Sequence, residues 1–100
     1  MEKMFKMSEI DFKTYLDEAE IWKIVDDYIK EKGEDYEVNK NSLLYDKKSY
    51  VTNEPVWYVE VIPMKVKEHW VDAYDSLAIS DKEGRVVYVQ NDHGVIVERF

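Results

Sequence analysis

At Gly33 the spacing of apolar side chains changes from three-to-four to two, which divides the chain into a helical part and a stranded part. Upstream, Ile21, Val25, Tyr28 and Ile29 recur on one helical stripe, with Trp22 and Ile24 at its flanks. Asp17 and Glu20 have the spacing of a capping box, in which each side chain satisfies a backbone N–H left free at a helix start. Glu18 adds negative charge where the helix dipole favours it. Lys30 and Lys32 fall in the last turn, and Gly33 provides the left-handed residue that ends a helix. These signals predict a helix over residues 17–32.

Residues 8–16 carry two readings. Ile10, Phe12, Thr14 and Leu16 alternate as in a strand, whereas Phe12, Leu16 and Ala19 also suit a helix. On a helical wheel Phe12, Tyr15, Leu16 and Ala19 point away from Ile21, Val25 and Tyr28. One straight helix over residues 8–32 would then need two apolar faces, so the sequence predicts a kink or a separate short helix near Asp17.

Downstream of Gly33 the alternation predicts strands over residues 43–51, 56–62, 75–80, 85–91 and 95–100, with Pro55 in the turn before the second. Trp57, Val59 and Val61 share one face of that second strand; Val56, Tyr58, Glu60 and Ile62 share the other. Asp81-Lys82-Glu83-Gly84 and Asn91-Asp92-His93-Gly94 each begin with an Asx residue and end in glycine, as tight hairpin turns require. The expected fold is α+β: an N-terminal helix, kinked or split near Asp17, packed on a four- to five-stranded antiparallel meander. Trp57, Val59, Val61, Leu77, Ile79, Val87 and Val89 are expected to face the helix.

A chain of 100 residues with 45% hydrophobic side chains supplies one core, and a single domain over residues 1–100 is expected. Asp and Glu outnumber Lys and Arg by 22 to 14, giving a net charge of -8. Nucleic acid is therefore a poor partner, because its phosphates reward basic surfaces. Cysteine is absent, which removes disulfides, thiolate metal sites and cysteine nucleophiles. No apolar run approaches the roughly 18 residues of a membrane span. The N-terminus alternates charged and apolar residues rather than forming the apolar core of a signal peptide. A cytoplasmic protein with no membrane partner is expected.

Little in the chain suggests catalysis. No serine stands in a G-x-S-x-G turn, no H-E-x-x-H or EF-hand loop occurs, and three isolated glycines cannot cradle a phosphate. His93 falls in a hairpin turn, where a solvated residue is the commoner outcome. His69, beside Trp70 and near Asp72 and Asp75, is the one candidate for a small-ligand pocket between helix and sheet; chance neighbours in so acidic a chain are the commoner explanation. No enzyme activity, catalytic residue, metal or cofactor is expected.

Two surfaces are candidates for binding. Asp26, Asp27, Glu31, Glu34 and Asp35 make an acidic helix face suited to a basic protein, although such runs are more often a solvated surface. Tyr58, Tyr88, Ile62 and Val86 would share the sheet face away from the helix, which is too apolar to leave open to water. The expected covers are the segment with Met1, Met4, Phe5 and Met7, a second copy of the chain in a homodimer, or a partner. Tyr is also enriched at interface hot spots.

The run Ala19-Glu20-Ile21-Trp22-Lys23-Ile24-Val25 through Gly33, then Trp57-Tyr58-Val59-Glu60-Val61 and Ile79-Ser80-Asp81-Lys82-Glu83-Gly84-Arg85-Val86-Val87-Tyr88, carries a resemblance. It resembles the helix, W-x-V strand and I-x-D-x-x-G-x-V hairpin of small bacterial PepSY-like and NTF2-fold immunity proteins, over residues 17–90 in element order. The resemblance implies a helix against a curved antiparallel sheet and an immunity or inhibitor role, masking a basic partner. The competing expectations are a homo-oligomeric adaptor that uses the aromatic sheet face and the small-ligand pocket.

Overall fold

A computed structural model of the chain describes residues 4–33, 35–64 and 73–100. Strand β1 (Met4–Lys6) leads into a single 3-10 turn (Met7–Glu9), an irregular stretch, and helix α1 (Glu18–Lys32). Strands β2 (Tyr36–Asp46), β3 (Val56–Pro63), β4 (Asp75–Ser80), β5 (Val86–Asn91) and β6 (Ile96–Arg99) follow. All six strands form one antiparallel sheet in chain order, β1 to β6. The fold is α+β, with one helix on a six-stranded sheet and so one strand beyond the upper expectation.

The helix is built as its sequence signals dictate. Asp17 Oδ1 accepts from Glu20 N at 2.8 Å, and Glu20 Oε1 accepts from Asp17 N at 3.1 Å, which closes the capping box. Gly33 ends the helix at φ 69°, its N–H donating to the carbonyls of Ile29 and Lys30. The two hairpin turns close on Gly84 at φ 68° and Gly94 at φ 79°, where a side chain would be strained.

Residues 10–17 are neither helix nor strand, which corrects the expectation of a kinked or second helix. They are held across the chain instead. The Asp81 carboxylate accepts from Tyr15 N at 3.0 Å, Leu16 N at 2.9 Å and Trp57 Nε1 at 2.9 Å, and the Tyr45 hydroxyl lies 3.5 Å away. Asp81 is 1% exposed, so these donors replace water around a buried carboxylate. Desolvation, followed by the neighbouring Asp81 charge, pushes the Tyr45 hydroxyl up to about 12.

The larger of two buried clusters lies on the helix side of the sheet, beneath α1 and the N-terminal segment. Ile21 and Val25 of α1 pack with Trp57, Val59, Val61, Leu77, Ile79, Val86 and Val89. Phe5, Met7, Ile10, Phe12 and Leu16 pack against the same cluster. Rings link that segment to the sheet, with centroids 5.3 Å apart for Phe5–Phe12, 5.6 Å for Phe12–Tyr45 and 4.7 Å for Tyr45–Trp57. Phe5 and Met7 thus cover the helix side, not the opposite face; Met4 is 43% exposed, and Met1 lies outside the described residues.

Val86 and Val87 exchange the faces expected of them. The register shifts between Ala78 and Ile79, which pair with Tyr88 and Val86 and leave Val87 as the extra residue. One inserted residue reverses the alternation. Val86 therefore joins the helix-side core, and Val87 packs with Val56, Tyr58, Ala78 and Tyr88 on the far face.

That far face is covered by the β2–β3 connection, residues 47–55, and not by Phe5 or Met7 of the N-terminal segment. β2 ends at Asp46, short of the expected residue 51, because the Asp46 side chain turns the chain by accepting from Lys48 N at 3.1 Å. Ser49 is fully buried and bonds the Tyr88 hydroxyl at 2.7 Å, and the Tyr88 hydroxyl in turn meets that of Tyr58. Val51 packs on the same cluster, and the Tyr50 hydroxyl donates to Gln90 Oε1 at 2.7 Å.

Candidate functional site

The helix that packs on the sheet leaves a cleft along its flank. Residues spaced three and four apart share a helical face, and Ile24, Asp27, Tyr28 and Glu31 have that spacing. They form one wall, with Lys32, of a cleft of about 510 Å³. Gly84, Arg85 and Val86 at the start of β5 form the facing wall together with Phe100. The apolar part of this lining is Ile24, Tyr28, Val86 and Phe100, which together make the floor of the cleft between its charged edges, and Phe100 remains 54% exposed. The rings of Tyr28 and Phe100 meet edge to face with centroids 6.2 Å apart.

The charges around this floor differ in how they are partnered. Lys32 Nζ donates to both carboxylate oxygens of Glu98, at 2.8 and 2.7 Å, and lies over the Tyr28 and Phe100 rings at 5.5 and 5.8 Å from their centroids. Arg85 directs Nε and a terminal nitrogen to Glu83 Oε1, each at 3.2 Å. Both cations thus carry counter-charges, from Glu98 of β6 and from Glu83 of the β4–β5 turn. Asp27 is bonded by Lys23 at 3.0 Å, and Asp26 by Lys30 at 2.8 Å, in exposed pairs one helical turn apart. The Lys30 ammonium is pushed up by its hydrogen bond to Asp26. Exposed pairs of this kind are weak and screened by water, so an incoming cation competes with them. Glu31 has no ion-pair partner among the described residues.

Of the expected acidic face, Asp26, Asp27 and Glu31 are exposed on α1, and only Asp27 and Glu31 reach the cleft. Asp35 is exposed beyond the helix, its carbonyl accepting from Met64 N at 3.0 Å, and Glu34 lies outside the described residues.

The expected sheet-face site does not assemble. Tyr88 is 1% and Tyr58 6% exposed beneath residues 47–55, so neither is open to a second copy. Burial pushes both hydroxyls up from their ordinary range. Ile62 lies toward the end of β3 opposite Glu37, and Val86 is on the other face, in the cleft.

Of the ligand-pocket group, His69, Trp70 and Asp72 fall outside the described residues. Asp75 is half-buried at the start of β4, and its carboxyl is pushed up by burial first, then by the carboxylates of Asp92 and Glu98. His93 is exposed in its turn, 3.8 Å from Asp92. Among the described residues no group of three or more His, Cys, Asp or Glu side chains is arranged to hold a metal ion, and no helix is long and apolar enough to cross a membrane.

Sequence reasoning missed Asp81 as a buried anchor and Ile24, Tyr28 and Phe100 as a floor. A signal for Asp81 existed: it continues the parity of Leu77 and Ile79 and so points to the core side. No family model, curated protein or solved structure matches this chain.

Proposed function

We propose that this chain is a small acidic protein-binding domain of the inhibitor or immunity type, acting in the cytoplasm, which masks a basic partner with the polar face of α1 and the cleft beside it. The observation that carries the reading is Glu31, a carboxylate without a counter-ion among the described residues, on the wall of an apolar cleft in a chain of net charge -8. A negative surface steers a basic partner and speeds encounter, while apolar area beside it slows release. Asp26 and Asp27 contribute to that field because their intrahelical pairs are exposed. Helix followed by antiparallel meander is also the element order on which the resemblance to immunity-type domains rests. Self-association through the aromatic sheet face loses its support, since Tyr58 and Tyr88 are covered by residues 47–55 of the same chain.

The reading is tested by capturing partners from native lysate at low and high salt, then timing association of the captured protein with the pure domain. A stoichiometric basic protein released at high salt, with an on-rate lowered by Asp26→Asn with Asp27→Asn, is the expected result, since exposed charges are screened beyond about 10 Å at 0.1 M salt. An on-rate at low salt that ignores this double substitution removes the α1 face from the interface.

A further inference from the structure

We infer that the cleft between α1 and the start of β5 is an anchor pocket for one aromatic side chain of the partner, flanked in the partner's sequence by Lys or Arg. The inference rests on the protein-binding reading above and specifies what that site takes.

Size comes first. About 510 Å³ lies within the range of roughly 300–1,000 Å³ typical of sites that hold a small molecule. It suits a side chain with its flanking backbone and is too small to seat a whole helix of about 10 Å diameter. The floor then selects an apolar occupant. Tyr28 and Phe100 already stand edge to face, and the exposed half of Phe100 offers a further ring the same geometry.

Charge selects the flanking residues. Lys32 is neutralised by Glu98 and Arg85 by Glu83, so neither calls for an anion from the partner. Glu31 has no such neutralising group among the described residues, and Asp27 is held only by exposed Lys23. A cation next to the anchor meets Glu31 and Asp27, whereas a carboxylate there is repelled by both. An acidic or purely apolar partner would leave Glu31 facing it without compensation.

The experiment titrates 15N-labelled protein with three capped tripeptides: acetyl-Lys-Trp-Lys-amide, acetyl-Lys-Gly-Lys-amide and acetyl-Glu-Trp-Glu-amide. The expected result is saturable amide shifts at Ile24, Tyr28, Glu31, Val86 and Phe100 with the first peptide, bound about tenfold more tightly than either of the others, a difference of about 1.4 kcal/mol. Glu31→Lys should abolish most of that preference and Glu31→Gln part of it, while Asp11→Lys, an identical charge change far along the sequence, leaves the cleft shifts in place. Unchanged spectral dispersion in each variant shows that the fold is retained. Equal binding of the tryptophan and glycine peptides, with shifts spread over Asp26, Asp27 and Asp35, overturns the anchor pocket but leaves the acidic-surface reading standing. Preference for the Glu-flanked peptide overturns both. Cleft amides that no peptide moves overturn the anchor pocket.

Discussion

Taking away the Asp81 carboxylate strands three donors at once: the amides of Tyr15 and Leu16 and the indole N–H of Trp57. An unpaired buried donor costs about 1–3 kcal/mol, and Trp57 is fully buried. Asp81→Ala is therefore expected to lose about 3 kcal/mol or more. Asp81→Asn should fall between Ala and the native residue, because its amide nitrogen turns one acceptor into a donor facing donors. Glu83→Gln, two residues along the same turn, breaks only the exposed pair with Arg85 and should cost about 1 kcal/mol or less. Thermal melts read by tryptophan fluorescence rank the three. A loss for Asp81→Ala no larger than that for Glu83→Gln would mean that residues 15 and 16 are not held by this carboxylate.

Among the elements, the connection over residues 47–55 behaves as a second cover for the sheet. It brings Ser49 onto Tyr88 and thereby buries the hydroxyls of Tyr88 and Tyr58. With Tyr45 on the other face, three tyrosines are held in their protonated form by burial. A raised folded-state value means that the unfolded chain gives up these protons first. Their contribution is thus fully present below about pH 10, where an ordinary tyrosine titrates, and is lost as pH rises above it, through about 12 for Tyr45. Melting temperature should fall steadily from pH 10 upward, and tyrosinate absorbance should show a set of tyrosines that ionises only with unfolding. All eight tyrosines titrating near pH 10 in the folded protein would contradict the double cover. The legibility of each element followed the range of its interactions. The Asp17 box, Gly33 and the turns ending in Gly84 and Gly94 are local chemistry, and each stands where the sequence puts it. Residues 10–17 alternate in sequence and in burial without forming a strand, because they are held by Asp81, 65 and 66 residues away from those it binds, and not by a neighbouring strand. β2 was misread because its pairing slips between Asn39 and Leu44, so alternation alone does not mark its start or end. Val86 reached the cleft through a bulge that a count of alternating residues cannot see.

At the scale of the molecule, charge and shape meet on one flank. The acids are not spread evenly: residues 1–35 hold 11 of the 22, against 6 basic residues. Within α1, Asp27 and Glu31 bring part of that excess to the wall of the apolar cleft. The fold class and the acidic helix face were legible because both are written in residue type and spacing. The cleft was not, since it exists only where α1 meets Val86 and Phe100, residues more than 50 positions further along. If the α1 flank is the working surface, the position of negative charge must matter and not only its sum. Two triple variants separate these cases: Asp26→Asn, Asp27→Asn and Glu31→Gln on the flank, and Asp11→Asn, Glu54→Gln and Asp92→Asn away from it. Each removes three negative charges, taking the net charge from -8 to about -5, so global attraction is matched. The decisive measurement is the affinity of both variants and the native protein for acetyl-Lys-Trp-Lys-amide at low salt. The flank variant should bind about tenfold more weakly than the native protein, with the control close to native; equal losses in the two variants would contradict a binding surface on α1.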